Sequence, residues 1–253
     1  MNRDCGFGDI DVGMQACWNE GVQMGIAENL KRVQERVRQA TVSAGRPLNS
    51  VRLLAASKRT DADGIIETLG LGHTLFGENR AQALRDKHDV VAPNHPEAEW
   101  HFIGYLQKNK VKYVVGRASM VHSLDSLELA KALSKRIDQQ RNTGVSLEPL
   151  SVLVQVKLGT EDSKTGIAPE PALKLCETLM EMPNIHLKGL MNIAPLEGPP
   201  EQWFAEMAQL AERARAEGFP MEEMSMGMSG DMESAIQHGS TIVRVGSDIY
   251  WAE

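Results

Sequence analysis

A disulfide framework is the first thing this chain of 253 residues lacks. Its three cysteines, Cys5, Cys17 and Cys176, make no C-x-x-C pair and no even set. Neither a zinc site nor a disulfide scaffold is expected, and a reducing compartment fits. The ~18-residue apolar run that a membrane span needs is also missing, so no transmembrane helix is expected. Positive charge is in deficit: 27 Lys and Arg stand against 34 Asp and Glu, a formal net charge of −7. Neither nucleic acid nor an anionic membrane is then expected as the main partner, although local basic clusters can still bind small anions. His88 and His95 fall in a loop without metal-ligand spacing, and no metal site is expected. Residues 1–20 hold Asp4, Asp9, Asp11 and Glu20 against a single Arg3, which fits neither a secretory signal nor a transit peptide. Residues 1–24 read as a loosely ordered extension, and the cytoplasm follows by default.

What is present is an ordinary globular balance, 42% hydrophobic and 24% charged, which excludes wholesale disorder. From Ile26 to Ala44 apolar residues recur every three or four positions (Ile26, Leu30, Val33, Val37, Ala40), and Gly45 and Pro47 stop the helix. Short apolar runs then alternate with helical stretches. Strands are predicted at 51–57, 73–77, 99–103, 119–123, 151–156, 185–191, 222–226 and 241–245. Helices are predicted near 61–70, 79–88, 106–115, 126–140, 169–180, 200–217 and 231–238. Strict alternation implies parallel strands joined by right-handed crossovers. Eight strands in ~200 residues fit a closed barrel better than an open sheet. No G-x-G-x-x-G follows the first strand, and no Pro-, Gly- or Ser-rich linker divides the chain. The expectation is an α/β protein, a single (β/α)8 TIM-type barrel over residues 25–253 with an extra N-terminal helix.

Barrel sites form at the carboxyl ends of strands, and the residues there are polar or small out of proportion. Lys58 ends an otherwise apolar run, where desolvation would leave more free amine for bonding to an aldehyde. The alternative is a lysine that reaches back to solvent. Two glycine-containing turns, Ser225 to Asp231 and Arg244 to Asp248, follow strands seven and eight, the usual phosphate position of such barrels. Ser229 is equally placed to cap the next helix. His101 ends strand three, either stacked on a ligand or bonded within the core. Lys108, Lys110 and Lys112 read as a solvated helix face. Met224, Met226 and Met228 read as packing or as a pocket floor.

Seven segments together resemble one family: AASKRT (55–60), FGENRAQ (76–82), WHFIGYLQKNKVKYV (100–114), VHSLDSLELA (121–130), VQVKLGTEDSKTGI (154–167), GLMNIAP (189–195) and EMSMGMSGDMESAIQHGSTIVRVGSDIY (223–250). The chain resembles the pyridoxal 5′-phosphate (PLP) homeostasis proteins, whose fold is similar to the barrel domain of alanine racemase. The resemblance implies that Lys58 holds PLP as an internal aldimine. It places Asn79 and Ser229 beside the cofactor, Ser229, Gly246 and Ser247 around its phosphate, and Arg244 at the pyridine nitrogen. It also implies a role in vitamin B6 homeostasis and supply to PLP-dependent apoenzymes; a monomer or weak homodimer is the expected state. Alanine racemase supplies a second base from a further β-rich domain. Here the sequence runs only a few residues past the eighth strand, and Tyr105, Tyr113 and Tyr250 all fall within the barrel segment. Carriage without turnover is therefore expected, with no catalytic residue, and a PLP-dependent racemase of low activity is the alternative. Tyr250-Trp251 stands where the family usually has Phe-Gly, which touches no site residue.

Overall fold

The computed structural model describes residues 25–159 and 165–251; the expected extension over residues 1–24 lies outside them. Helix α1 (Ile26–Ser43) buries Leu30, Val33, Val37 and Ala40, the stripe that its periodicity predicts. Strand and helix then alternate: β1 (Arg52–Ala56), α2 (Ala62–Gly70), β2 (Leu75–Glu78), α3 (Ala81–Val91) and β3 (Glu99–Phe102). A single 3-10 turn, Lys108–Lys110, leads into the short α4 (Val111–Val114). The second half runs β4 (Met120–Leu124), α5 (Leu127–Arg141), β5 (Leu150–Val156), α6 (Pro169–Met180), β6 (Ile185–Asn192) and α7 (Pro200–Ala216). It finishes with β7 (Glu223–Ser225), α8 (Met232–Gln237), β8 (Ile242–Val245) and α9 (Ser247–Tyr250). Local chemistry sets several of these starts. Asp61 and Ser126 cap α2 and α5 by accepting from the amides of Gly64 and Leu129. Pro169 and Pro200 open α6 and α7, where a missing N–H costs nothing.

The eight strands are parallel and close in sequence order, with β1 paired to β8 from Arg52↔Ile242 to Ala55↔Val245. Closure removes both sheet edges. Two apolar layers result. Leu54, Leu75, Met120, Leu153, Met191 and Ile242 pack together although they come from strands that are mostly not neighbours, so they fill the lumen. The larger layer lies between the sheet and the helices and takes in Phe76, Trp100, Phe102 and Phe204. Helix α1 packs on α8 and α9, and so joins the start of the barrel to its end. Among the described residues no helix is long and apolar enough to cross a membrane.

Three local expectations change. The stretch predicted as one helix over 106–115 divides into the 3-10 turn and α4, because only Leu106, Val111, Val114 and Val115 find core to bury against. Ser229 does not cap α8: Asp231 occupies that position, and its carboxylate accepts from the Met228 amide at 2.6 Å. Met224 and Met226 are buried in the sheet–helix layer, and Met228 alone of the three reaches a cavity.

Candidate functional site

A cavity of about 480 Å³ opens at the carboxyl ends of the strands, and Lys58, Asn79, Ser229, Arg244, Gly246 and Ser247 all line it. Sequence reasoning singled out each of these six. Ile103, Tyr105, Gln155 and Ile193 complete much of the wall. Only rim position pointed to them, because a residue's place on a cavity wall depends on the register of non-neighbouring strands.

One buried carboxylate organises the side formed by β1 and β2. Glu78 is 1% exposed, and its Oε1 accepts from the backbone amides of Asn79 and Arg80 at 2.7 and 3.2 Å. Its Oε2 accepts from Lys87 of α3 at 2.5 Å, while the same ammonium donates to the Ser57 carbonyl at 2.6 Å. The segments presenting Lys58 and Asn79 are thus tied to one ion pair. Lys58 itself stands in the turn after β1 and is exposed, so the desolvated setting expected for its amine is absent and the reach to solvent is present.

The opposite side is built by the turns after β7 and β8. The Ser229 and Ser247 hydroxyls lie 2.9 Å apart. Gly227 has φ +91°, which favours glycine, and its carbonyl accepts from the Arg244 amide at 3.0 Å, stitching one turn to the next strand. A Cβ on Gly246 would stand 2.7 Å from the Ala56 carbonyl oxygen, so only glycine lets the last turn close on β1. Arg36 of α1 spans both turns: it donates to the Ser229 carbonyl at 2.9 Å and to Glu233 and Asp248 at 2.8 and 2.7 Å.

Arg244 sits at the cavity floor, 6% exposed. It donates to Ser225 Oγ at 2.7 Å and to the Asn192 carbonyl at 2.8 Å, and it forms no ion pair among the described residues. Burial lowers its pKa to about 10, which still leaves it charged at neutral pH. His101 does not line this cavity. It is fully buried, bonded to Glu99 at 2.8 Å and to His122 at 2.9 Å, which settles it as a core histidine. Lys108 and Lys112 are exposed, as a solvated face requires. No group of three metal-ligating side chains occurs among the described residues.

The family model for the alanine racemase N-terminal domain matches residues 25–253. The chain is 39% identical over 231 residues to the pyridoxal phosphate homeostasis protein of Aquifex aeolicus, covering 90% of this chain and 98% of that one. It is 40% identical over 230 residues to the protein of the same name from Vibrio cholerae, covering 89% and 95%. This chain belongs to the pyridoxal phosphate homeostasis protein family. A solved structure of PipY from Synechococcus elongatus, with PLP bound, is 30% identical at a TM-score of 0.76 and covers 89% of this chain and 99% of PipY. PipY thus shares the fold of the barrel described above.

Proposed function

We propose that this protein binds PLP in the cavity at the carboxyl ends of the strands, with Lys58 bonded to its aldehyde, and serves as a carrier that supplies PLP to apoenzymes in the cytoplasm. Residues 25–253 act as one binding unit in this reading, and a monomer or weak homodimer suffices for it. The observation that carries the reading is the donor set around one cavity: a primary amine, two paired hydroxyls with a glycine turn, and a buried guanidinium that forms no ion pair among the described residues. PLP presents a matching set, an aldehyde, a phosphate and a ring nitrogen with a free lone pair, and when bound it supplies an electrophilic carbon conjugated to that ring.

The chain's own groups divide the work. Ser229 and Ser247 offer hydroxyl donors to phosphate oxygens, and Gly246 keeps that corner free of side chain. Arg244 can only donate, so it keeps the ring nitrogen unprotonated and weakens electron withdrawal by the ring. Its two protein bonds hold that donor in place. The exposure of Lys58 suits a bond that must form and be released reversibly, with water exchanged at the mouth.

Freshly purified protein should absorb in the visible, and borohydride should remove the band and leave the pyridoxyl group on Lys58. Label mainly on another lysine would sink the assignment. Tyr105 is the one observation favouring an amino-acid racemase, since it lines the cavity and is 57% exposed at the rim. Racemisation needs an acid–base group on each face of the substrate carbon. Exchange of the α-proton of L-amino acids in deuterated buffer separates the two readings. The carrier predicts negligible exchange together with reactivation of an added apoenzyme; exchange at roughly 1–10³ per second would establish an enzyme.

A further inference from the structure

The barrel lumen holds a continuous line of polar side chains that the binding of PLP does not itself require. It begins at the amino-terminal mouth, where Arg52 of β1 donates to Glu99 Oε2 of β3 at 2.5 Å. Glu99 Oε1 accepts from His101 Nε2 at 2.8 Å. His101 Nδ1 meets His122 Nε2 of β4 at 2.9 Å, and His122 Nδ1 meets Ser225 Oγ of β7 at 2.9 Å. Ser225 Oγ accepts from Arg244 of β8 at 2.7 Å. Strands β4 and β7 are not neighbours in the closed sheet, so the His122–Ser225 bond crosses the lumen. His101, His122 and Ser225 are each fully buried, and the apolar lumen surrounds them.

With both imidazoles neutral, the direction of every hydrogen in this line follows from its carboxylate end. A carboxylate only accepts, so the proton on His101 is at Nε2 and its Nδ1 has a lone pair. His122 must then donate from Nε2, which leaves its own Nδ1 as an acceptor. Ser225 therefore donates its hydroxyl hydrogen to His122, and its oxygen is free to accept from Arg244. An arginine only donates, and the Ser225 oxygen can accept from it while its hydrogen goes to His122, so the far end is compatible with the same polarity. Both imidazoles are neutral in this arrangement. Burial favours that state: it lowers the pKa of His101 and takes His122 well below the usual range, with Arg52 and Arg244 adding to the effect at His122. Glu99 and, more distantly, Glu223 oppose it at His101.

We propose that Glu99, His101, His122 and Ser225 form a one-way hydrogen-bond relay whose role is to position Arg244 as a fixed donor to the ring nitrogen of the ligand. Its members are positioning residues, since none of the four lines the cavity. With one Arg244 nitrogen held by Ser225 and another by the Asn192 carbonyl, the remaining donors of this cavity-lining side chain are the ones left for a ligand. The site then selects pyridines with a free nitrogen lone pair. This role rests on the reading of the cavity as a PLP site; the polarity of the relay does not.

The test has two parts. Nitrogen-15 NMR of the protein without PLP should find His101 and His122 both neutral and both protonated at Nε2 around pH 7. A proton on Nδ1 of either ring, or an imidazolium signal, overturns the relay. Affinity is then measured for PLP and for the analogue in which CH replaces the ring nitrogen, in the unmutated protein and in Ser225→Ala, which removes one oxygen atom. The variant should bind PLP about tenfold more weakly and the analogue unchanged. Equal weakening of both ligands overturns the positioning role, because a merely structural loss does not distinguish the nitrogen. Unmutated protein that leaves PLP unbound overturns the reading of the cavity instead, and the NMR result still judges the relay.

Discussion

Ser229 and Gly246 illustrate how much a single atom decides at this rim. With Asp231 in the cap position, the Ser229 hydroxyl bonds Ser247 among the described residues and can turn to whatever occupies the cavity. Ser229→Ala should remove one hydrogen bond to a charged group, a loss of about 1.5–3 kcal/mol. PLP affinity should fall roughly 10- to 150-fold. Pyridoxal, which lacks the phosphate, should bind the variant and the parent equally; a titration of both ligands checks this. Gly246→Ala acts oppositely, by adding an atom. Its Cβ would crowd the Ala56 carbonyl and Cβ at 2.7 and 3.2 Å, so either β1 or the last turn must shift. A loss of about 1–3 kcal/mol in urea unfolding is expected, together with weaker PLP binding.

Helix α1 is the element with the most to say about the cavity, although none of its residues lines it. Arg36 holds the turns after β7 and β8 at once and is the described link between α1 and the Ser229 carbonyl. Arg36→Ala should lower stability by only about 1 kcal/mol, since its ion pairs are partly solvated. Its larger effect should be faster amide exchange across 227–231 and 246–249, with PLP affinity falling more than pyridoxal affinity. Equal loss for both ligands would show that α1 supports the barrel rather than the turns. The elements themselves were mostly legible in the sequence, because short apolar runs and stretches with a period near 3.6 alternate from Val51 onward. Strand β5, predicted at 151–156, spans Leu150–Val156, and α6 covers the predicted 169–180. Two pieces escaped. Helix α9 has four residues, too few for any periodicity, and the 3-10 turn before α4 forms where a helical pattern lacks a core to face. The six cavity residues were legible because strand ends mark the rim of such a barrel and the motifs there match the family. The lumen line was not. Nothing local to His122 or Ser225 reveals that they meet, since their bond depends on which way each strand turns its side chains across the closed sheet.

For the molecule as a whole, the neutral lumen histidines couple folding to pH. In the unfolded chain His101 and His122 take up protons from about pH 6.5 downward, whereas burial holds both neutral in the folded protein. The unfolded state binds more protons there, so stability falls as pH falls below about 6.5. Each such histidine contributes up to about 1.4 kcal/mol per pH unit until its folded pKa is reached. Glu99 adds a second, more acidic phase. Its hydrogen bond from His101, with further help from Arg52, holds its pKa at about 2, so its stabilisation is complete above about 4.5 and is lost from there towards about 2. Urea midpoints measured from pH 8 to pH 4 should stay level above about 7 and then decline. A midpoint unchanged down to pH 5 would mean that the histidines titrate alike in both states.

The contact between α1 and the last turn joins residues 212 positions apart, and β8 must close on β1 before Lys58 and Arg244 face one space. On the ribosome, at ~5–20 residues per second, the amine-bearing segment is therefore made about 10–40 s before the groups that complete its pocket. Throughout that interval Lys58 is one lysine among many, with no advantage in capturing an aldehyde. Selective loading can begin only once β8 has left the exit tunnel and closed on β1, which makes cofactor capture a report on barrel closure.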